Sequence, residues 1–183
     1  TYGTALTGVI HNTAGGSILA SAVDGTANAV HIGAQSVLPG FVNTGTLTAR
    51  TIDSGENTTT GDAGSGGGDA YAVIVDSGAN MASFVNNGTL VAQSRGGSQS
   101  AYGVLDNSGT LTSVTNQGTW TTSINGSGVA VALDLSATTK AITFANSGVM
   151  TGDMKFGSGA NSVSSSAGTL TGNITLGGGN DTL

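Results

Sequence analysis

Acidic side chains recur in one of the chain's repeated phrases: Asp76 in "AYAVIVDSG", Asp106 in "AYGVLDNSG" and Asp134 in "VAVALDLS". Three carboxylates on one face would suit the general acid/base work of a carbohydrate-cleaving β-helix. Stacked ~5 Å apart they would repel, unless a cation lay between them or they pointed into solvent. The competing reading is that each Asp accepts backbone N–H bonds at its own turn, as "DSG" and "DNSG" invite, and this is preferred. No Glu or Arg stands nearby for acid/base work. A Ser/His/Asp triad needs a positioned base. His11 in "VIHNT" and His31 in "NAVHIG" are the two histidines, with no "GxSxG" elbow nearby, so exposed or corner histidines are expected. "LGGGNDTL", residues 176–183, partly matches a calcium-binding nonapeptide through Gly177, Gly179, Asp181 and Leu183. That motif builds sites from consecutive copies, and the preceding copy "FGSGANSV" carries Asn161 and Ser162 where an Asp is needed. Asp181 therefore stands as a metal candidate against the preferred reading of a turn with its own Asx bond. Thr-x-Thr pairs recur at Thr46/Thr48, Thr110/Thr112, Thr119/Thr121 and Thr169/Thr171, interrupted by Val91 and Val149. They read as an outer-face ladder favoured by β propensity, with ice binding as a remote alternative. No catalytic residue and no cofactor is expected.

The elements that would position these groups show in the spacing of a second phrase. "FVNTGTLTAR", "FVNNGTLVAQ", "TNQGTWTTS" and "FANSGVMTG" place Asn43, Asn86, Asn116 and Asn146 at intervals of 43, 30 and 30 residues. Gly45, Gly88, Gly118 and Gly148 follow two residues later, and Leu47, Leu90, Trp120 and Met150 two after that. "IHNTAGGSI" is a weaker earlier copy, with Asn12 lying 31 residues before Asn43. Each repeat holds about three alternating apolar runs separated by Gly, Asn and Ser, the pattern of short strands and turns. The clearest copy predicts strands at Tyr71–Val75, Ala82–Val85 and Thr89–Gln93. A propeller blade needs ~40–50 residues and four strands, so the recurrence predicts a parallel β-solenoid. Repeated Asn would then form an amide ladder. Repeated Gly would supply positive φ at a corner.

Composition agrees. The chain has 183 residues, 37% hydrophobic and 8% charged, with 32 Gly and one Pro. A narrow core of Val, Ile, Leu and Ala is expected. The net charge of −6 with four basic residues argues against nucleic acid and anionic lipid as partners. No apolar run is long enough for a membrane-spanning helix. Absent cysteine leaves the compartment open. Residues 51–70 interrupt the period with a polar, Gly-rich excursion carrying Asp53, Glu56, Asp62 and Asp69, the candidate recognition loop. In residues 151–183 the period tightens, "TGDMKFGSGANS" echoing in "TGNITLGGGNDT" twenty residues on. Residues 1–183 are expected to be one segment of a longer solenoid, or to stack at their ends on another copy.

"VNNGTL", "DNSGTLTSVTNQGTW", "FANSGVMTG" and "TGNITLGGGNDTL" resemble the passenger domains of autotransporters, the type V secreted proteins of Gram-negative bacteria. The resemblance covers most of residues 28–183. It implies a right-handed parallel β-helix at the bacterial surface, outer-membrane tethered or released. It also implies adhesion to a host or surface ligand (protein or glycan), or self-association. The leading expectation is thus an adhesive or self-associating rod with neutral Thr/Ser/Asn-rich faces. The alternative is a β-helical polysaccharide lyase or hydrolase.

Overall fold

A computed structural model describes residues 7–55 and 67–183. Its secondary structure is all β, in six successive coils of three strands. The first coil holds β1 (Ile10–Asn12), β2 (Ser17–Val23) and β3 (Ala27–Ile32). The second holds β4 (Val37–Asn43), β5 (Thr46–Ile52) and β6 (Ala70–Val75), and the third β7 (Asn80–Asn86), β8 (Thr89–Arg95) and β9 (Ala101–Asp106). The fourth holds β10 (Ser113–Asn116), β11 (Thr119–Asn125) and β12 (Ala130–Asp134). The fifth holds β13 (Thr143–Asn146), β14 (Val149–Thr151) and β15 (Asp153–Lys155), and the sixth β16 (Ser162–Ser164), β17 (Thr169–Thr171) and β18 (Ile174–Thr175).

Corresponding strands pair in parallel into three six-stranded sheets: sheet A from β1-β4-β7-β10-β13-β16, sheet B from β2 to β17 and sheet C from β3 to β18 in the same manner. This is a right-handed parallel β-helix with three strands per coil. The Asn-x-Gly phrase marks the corner between sheets A and B. Its register is strict, Asn12 facing Asn43, then Asn86, Asn116 and Asn146. The interruption after β5 leaves that register intact, because Ile52 still faces Val23 and Ala70 still faces Ala27.

Alternation turns every second side chain inward. The interior is less purely aliphatic than the composition suggests. Trp120, Phe41, Phe84 and Phe144 are the largest fully buried side chains. Phe41 stacks on Phe84 with ring centroids 6.1 Å apart, and Phe84 meets Trp120 edge to face at 5.4 Å. Such pairs add to the ~1.5–3 kcal/mol gained by burying each large apolar side chain. The indole needs space, and sheet C supplies it at Gly103, where an added Cβ would lie 2.0 Å from Trp120 Nε1.

The last coils narrow. Phe144 faces Val163 and Met150 faces Leu170. Here the B–C corner shrinks to a single residue, Gly152 between β14 and β15, with φ of 125°. Only glycine takes that backbone region without strain.

Candidate functional site

The repeated asparagines are buried and bonded to one another. Nδ2 of Asn12 donates to Oδ1 of Asn43 at 2.8 Å, Asn43 to Asn86 at 2.8 Å, Asn86 to Asn116 at 2.8 Å and Asn116 to Asn146 at 2.7 Å. The second proton of each amide goes to a main-chain carbonyl of the next coil, those of Thr46, Thr89, Thr119 and Val149. Asn146 ends the run on Ser165 Oγ and Thr169 O. The main-chain carbonyls of Asn12, Asn43, Asn86 and Asn116 each also accept two amides from the coil above, as Asn43 O does from Asn87 and Gly88. Both protons of every amide in the run are thus taken within the chain.

The glycines of the phrase are there for a different reason from the expected one. Gly45, Gly88, Gly118 and Gly148 are not among the residues with positive φ. A Cβ at these positions would lie 2.0–2.2 Å from the carbonyl oxygen of Gly16, Gly45, Gly88 or Gly118 in the coil below. That oxygen accepts the amide of the residue just after the phrase glycine of the next coil, as Gly88 O does from Thr119 N. Close backbone stacking, not a left-handed turn, excludes a side chain.

The three aspartates do not form a ladder. Asp106 faces Val75 in the coil below, whereas Asp134 faces Leu105, so each Asp is displaced by one residue from the next. A one-residue slip puts neighbours on opposite faces. Asp106 points inward, 1% exposed. Its Oδ1 accepts from the amide and hydroxyl of Ser108, and its Oδ2 from the amide of Leu111 at 2.9 Å. Asp134 accepts from the Ser136 amide and hydroxyl and lies 3.6 Å from Lys155 Nζ. Asp76 is half-buried and bonds the exposed His31 at Nε2, 2.8 Å away. Asp106→Ala should therefore lower stability by about 3 kcal/mol, because two buried amides lose a charged acceptor; urea unfolding measures it.

His31 and Asp76 make a surface His–Asp pair, but among the described residues no serine hydroxyl bonds to either histidine. His11 faces Val42 across the sheet. Asp181 Oδ1 accepts the Asn161 amide at 2.8 Å, tying the chain's last residues to the coil below.

Of the candidate recognition loop, Glu56 and Asp62 lie outside the described residues. Asp53 and Asp69 both bond groups within the fold. Asp53 is 4% exposed; its Oδ1 takes the Gly55 amide, and among the described residues its Oδ2 has no hydrogen-bond partner. Asp69 binds the Ser100 amide and the Tyr71 hydroxyl. Burial, then Asp69, pushes the Tyr71 phenol above its ordinary range. Asp24 is shifted the other way, held below the usual carboxylate range by the Ser54 hydroxyl and amide.

Sheet B carries eight threonines in two outward columns. One runs Ser17, Thr46, Thr89, Thr119, Val149, Thr169, and the other Leu19, Thr48, Val91, Thr121, Thr151, Thr171. Thr110 and Thr112 do not belong to it. They precede β10, where Thr110 Oγ1 bonds Ser108 Oγ and takes the Met81 amide. Comparison of the chain with protein-family models, with curated proteins and with solved structures finds no match.

Proposed function

We propose that this chain is a stiff β-helical segment of a surface-exposed adhesive or self-associating protein of autotransporter-passenger type, working through its outer faces. The observation that carries the reading is the division of labour among polar side chains. Those that recur in the sequence, the asparagines and Asp106, are turned inward and bonded within the chain itself. What faces outward on sheet B in the two threonine columns is neutral, hydroxyl-rich and repetitive, with Arg50 and Arg95 further along the same face. Such a surface meets a partner through many weak hydrogen bonds and apolar contacts rather than one reactive group.

Display of the chain on Gram-negative cells tests this. Cells displaying it should clump, or bind a protein- or glycan-coated surface, more than cells displaying an unrelated domain. Dispersed cells together with turnover of any glycan in a panel would overturn the reading and favour the lyase or hydrolase alternative.

A further inference from the structure

We propose that the outer face of sheet B binds ice, its ligand being the ordered water of a crystal face. This goes beyond the adhesive reading and can fail without affecting it.

The argument starts from register. In an unbroken parallel ladder, equivalent side chains repeat every ~4.8 Å along the axis, and positions i and i+2 on one strand lie ~6.6 Å apart. Sheet B keeps that register from β2 to β17 with no bulge, whereas sheet C has one between Val131 and Leu133. Its two outward columns therefore form a two-dimensional lattice spanning ~24 Å along the axis. Eight of the twelve lattice points are Thr. The two Val replacements, Val91 and Val149, have the shape of Thr and keep a methyl where Thr has one.

Each Thr offers two things at a fixed spacing, a hydroxyl that bonds water and a methyl that water must surround. The hydroxyls of the columns make no hydrogen bond to a described residue, so they are available to solvent. No charge stands in either column, and the nearest on sheet B, Arg50, stands two residues beyond Thr48 at the edge of the lattice. Water held on such a lattice inherits its two repeats, and both are of the size of the oxygen spacings on ice surfaces. A solenoid is suited to this because the lattice is backbone-fixed and little side-chain order remains to be lost on binding.

β propensity alone does not account for the array, since it would act on every sheet. The outward positions of the sheet A strands in the same coils hold only Thr115 and Thr143, among Gly40, Ser83, Val42 and Val85. Threonine is concentrated on one face of three.

The test is thermal hysteresis and single-crystal ice shaping by the purified chain, with Thr121→Lys and Thr48→Lys made separately on the face and Thr115→Lys on sheet A as the control. Circular dichroism checks that each variant folds, and the second face variant covers a folding failure of the first. Wild type and Thr115→Lys should facet growing crystals and depress the growth temperature, and a folded face variant should lose most of that depression. Rounded crystals with no hysteresis from wild type would overturn the proposal. So would equal activity in face and control variants. Size-exclusion shifts confined to the face variants, with no ice shaping by wild type, would overturn it too and assign the face to contact between copies.

Discussion

Replacing Asn86 with leucine is expected to lower the unfolding free energy by about 3–6 kcal/mol, read as a fall in the urea midpoint at unchanged slope. Leucine nearly preserves the volume, so the loss is almost entirely polar. Asn43 Nδ2 loses its acceptor, Asn116 Oδ1 loses its donor, and Thr119 O loses the amide proton it shared. Each is a buried group left without its partner, at ~1–3 kcal/mol apiece. Asn12→Leu gives the comparison. Asn12 only donates, to Asn43 Oδ1 and Thr46 O, so its loss should be about half as large. Equal losses at the two positions would show that something other than the side-chain ladder joins the coils.

Gly118→Ala is the second large effect. The added methyl would sit 2.0 Å from Gly88 O and 2.8 Å from the main-chain carbon of Asn87. Neither obstacle is a movable side-chain tip, so the coils must part. Separation also stretches the 2.8 Å amide bond between Asn86 and Asn116 at the same corner. Overpacking of this kind costs about 1–3 kcal/mol, and backbone against backbone places it at the upper end. Gly33 is the control, because an added Cβ there meets nothing within 4 Å and φ is ordinary. Gly33→Ala should stay within about 0.5 kcal/mol of wild type, the usual range for an unconstrained surface change. Thermal melts of the two variants side by side separate close contact from backbone freedom as the reason for glycine.

Those two glycines show where sequence reading reached its limit. The 30-residue recurrence revealed which residues stack, since equal spacing in sequence becomes vertical alignment in a solenoid. It could not say why glycine recurs, because positive φ and close approach select the same residue. Only the position of the Gly88 carbonyl distinguishes them. The preferred reading of the aspartates, acceptors at their own turns, holds at Asp106 and Asp134, and the less favoured acidic ladder fails for a related reason. Aligning the second phrase on its Asp pairs Asp76 with Asp106. Aligning it on the Ala-Tyr start, Ala70-Tyr71 with Ala101-Tyr102, sets Asp106 beside Val75, as found. The second alignment was available in the sequence and would have placed the carboxylate inside. The aromatic core was also readable in part. Phe84 and Phe144 open copies of the phrase beside a strand, but nothing in composition says that Gly103 makes room for Trp120. The sheet B lattice was masked by Thr110 and Thr112, which match the spacing yet lie off the sheet.

The amide ladder has a direction: every Nδ2 proton points to the following coil and every Oδ1 to the preceding one. A coil is therefore a complete adapter, accepting on one side what it offers on the other. In-frame duplication of the stretch from one ladder asparagine to the next, as between Asn86 and Asn116, would add a storey whose own asparagine fits both neighbours without adjustment. Gain or loss of any part of that stretch along a strand would put the asparagine out of line. The segment between β5 and β6 shows the other permitted change, extra residues at a corner with Ile52 and Ala70 still in register. Such rods can vary height in whole units and width at corners.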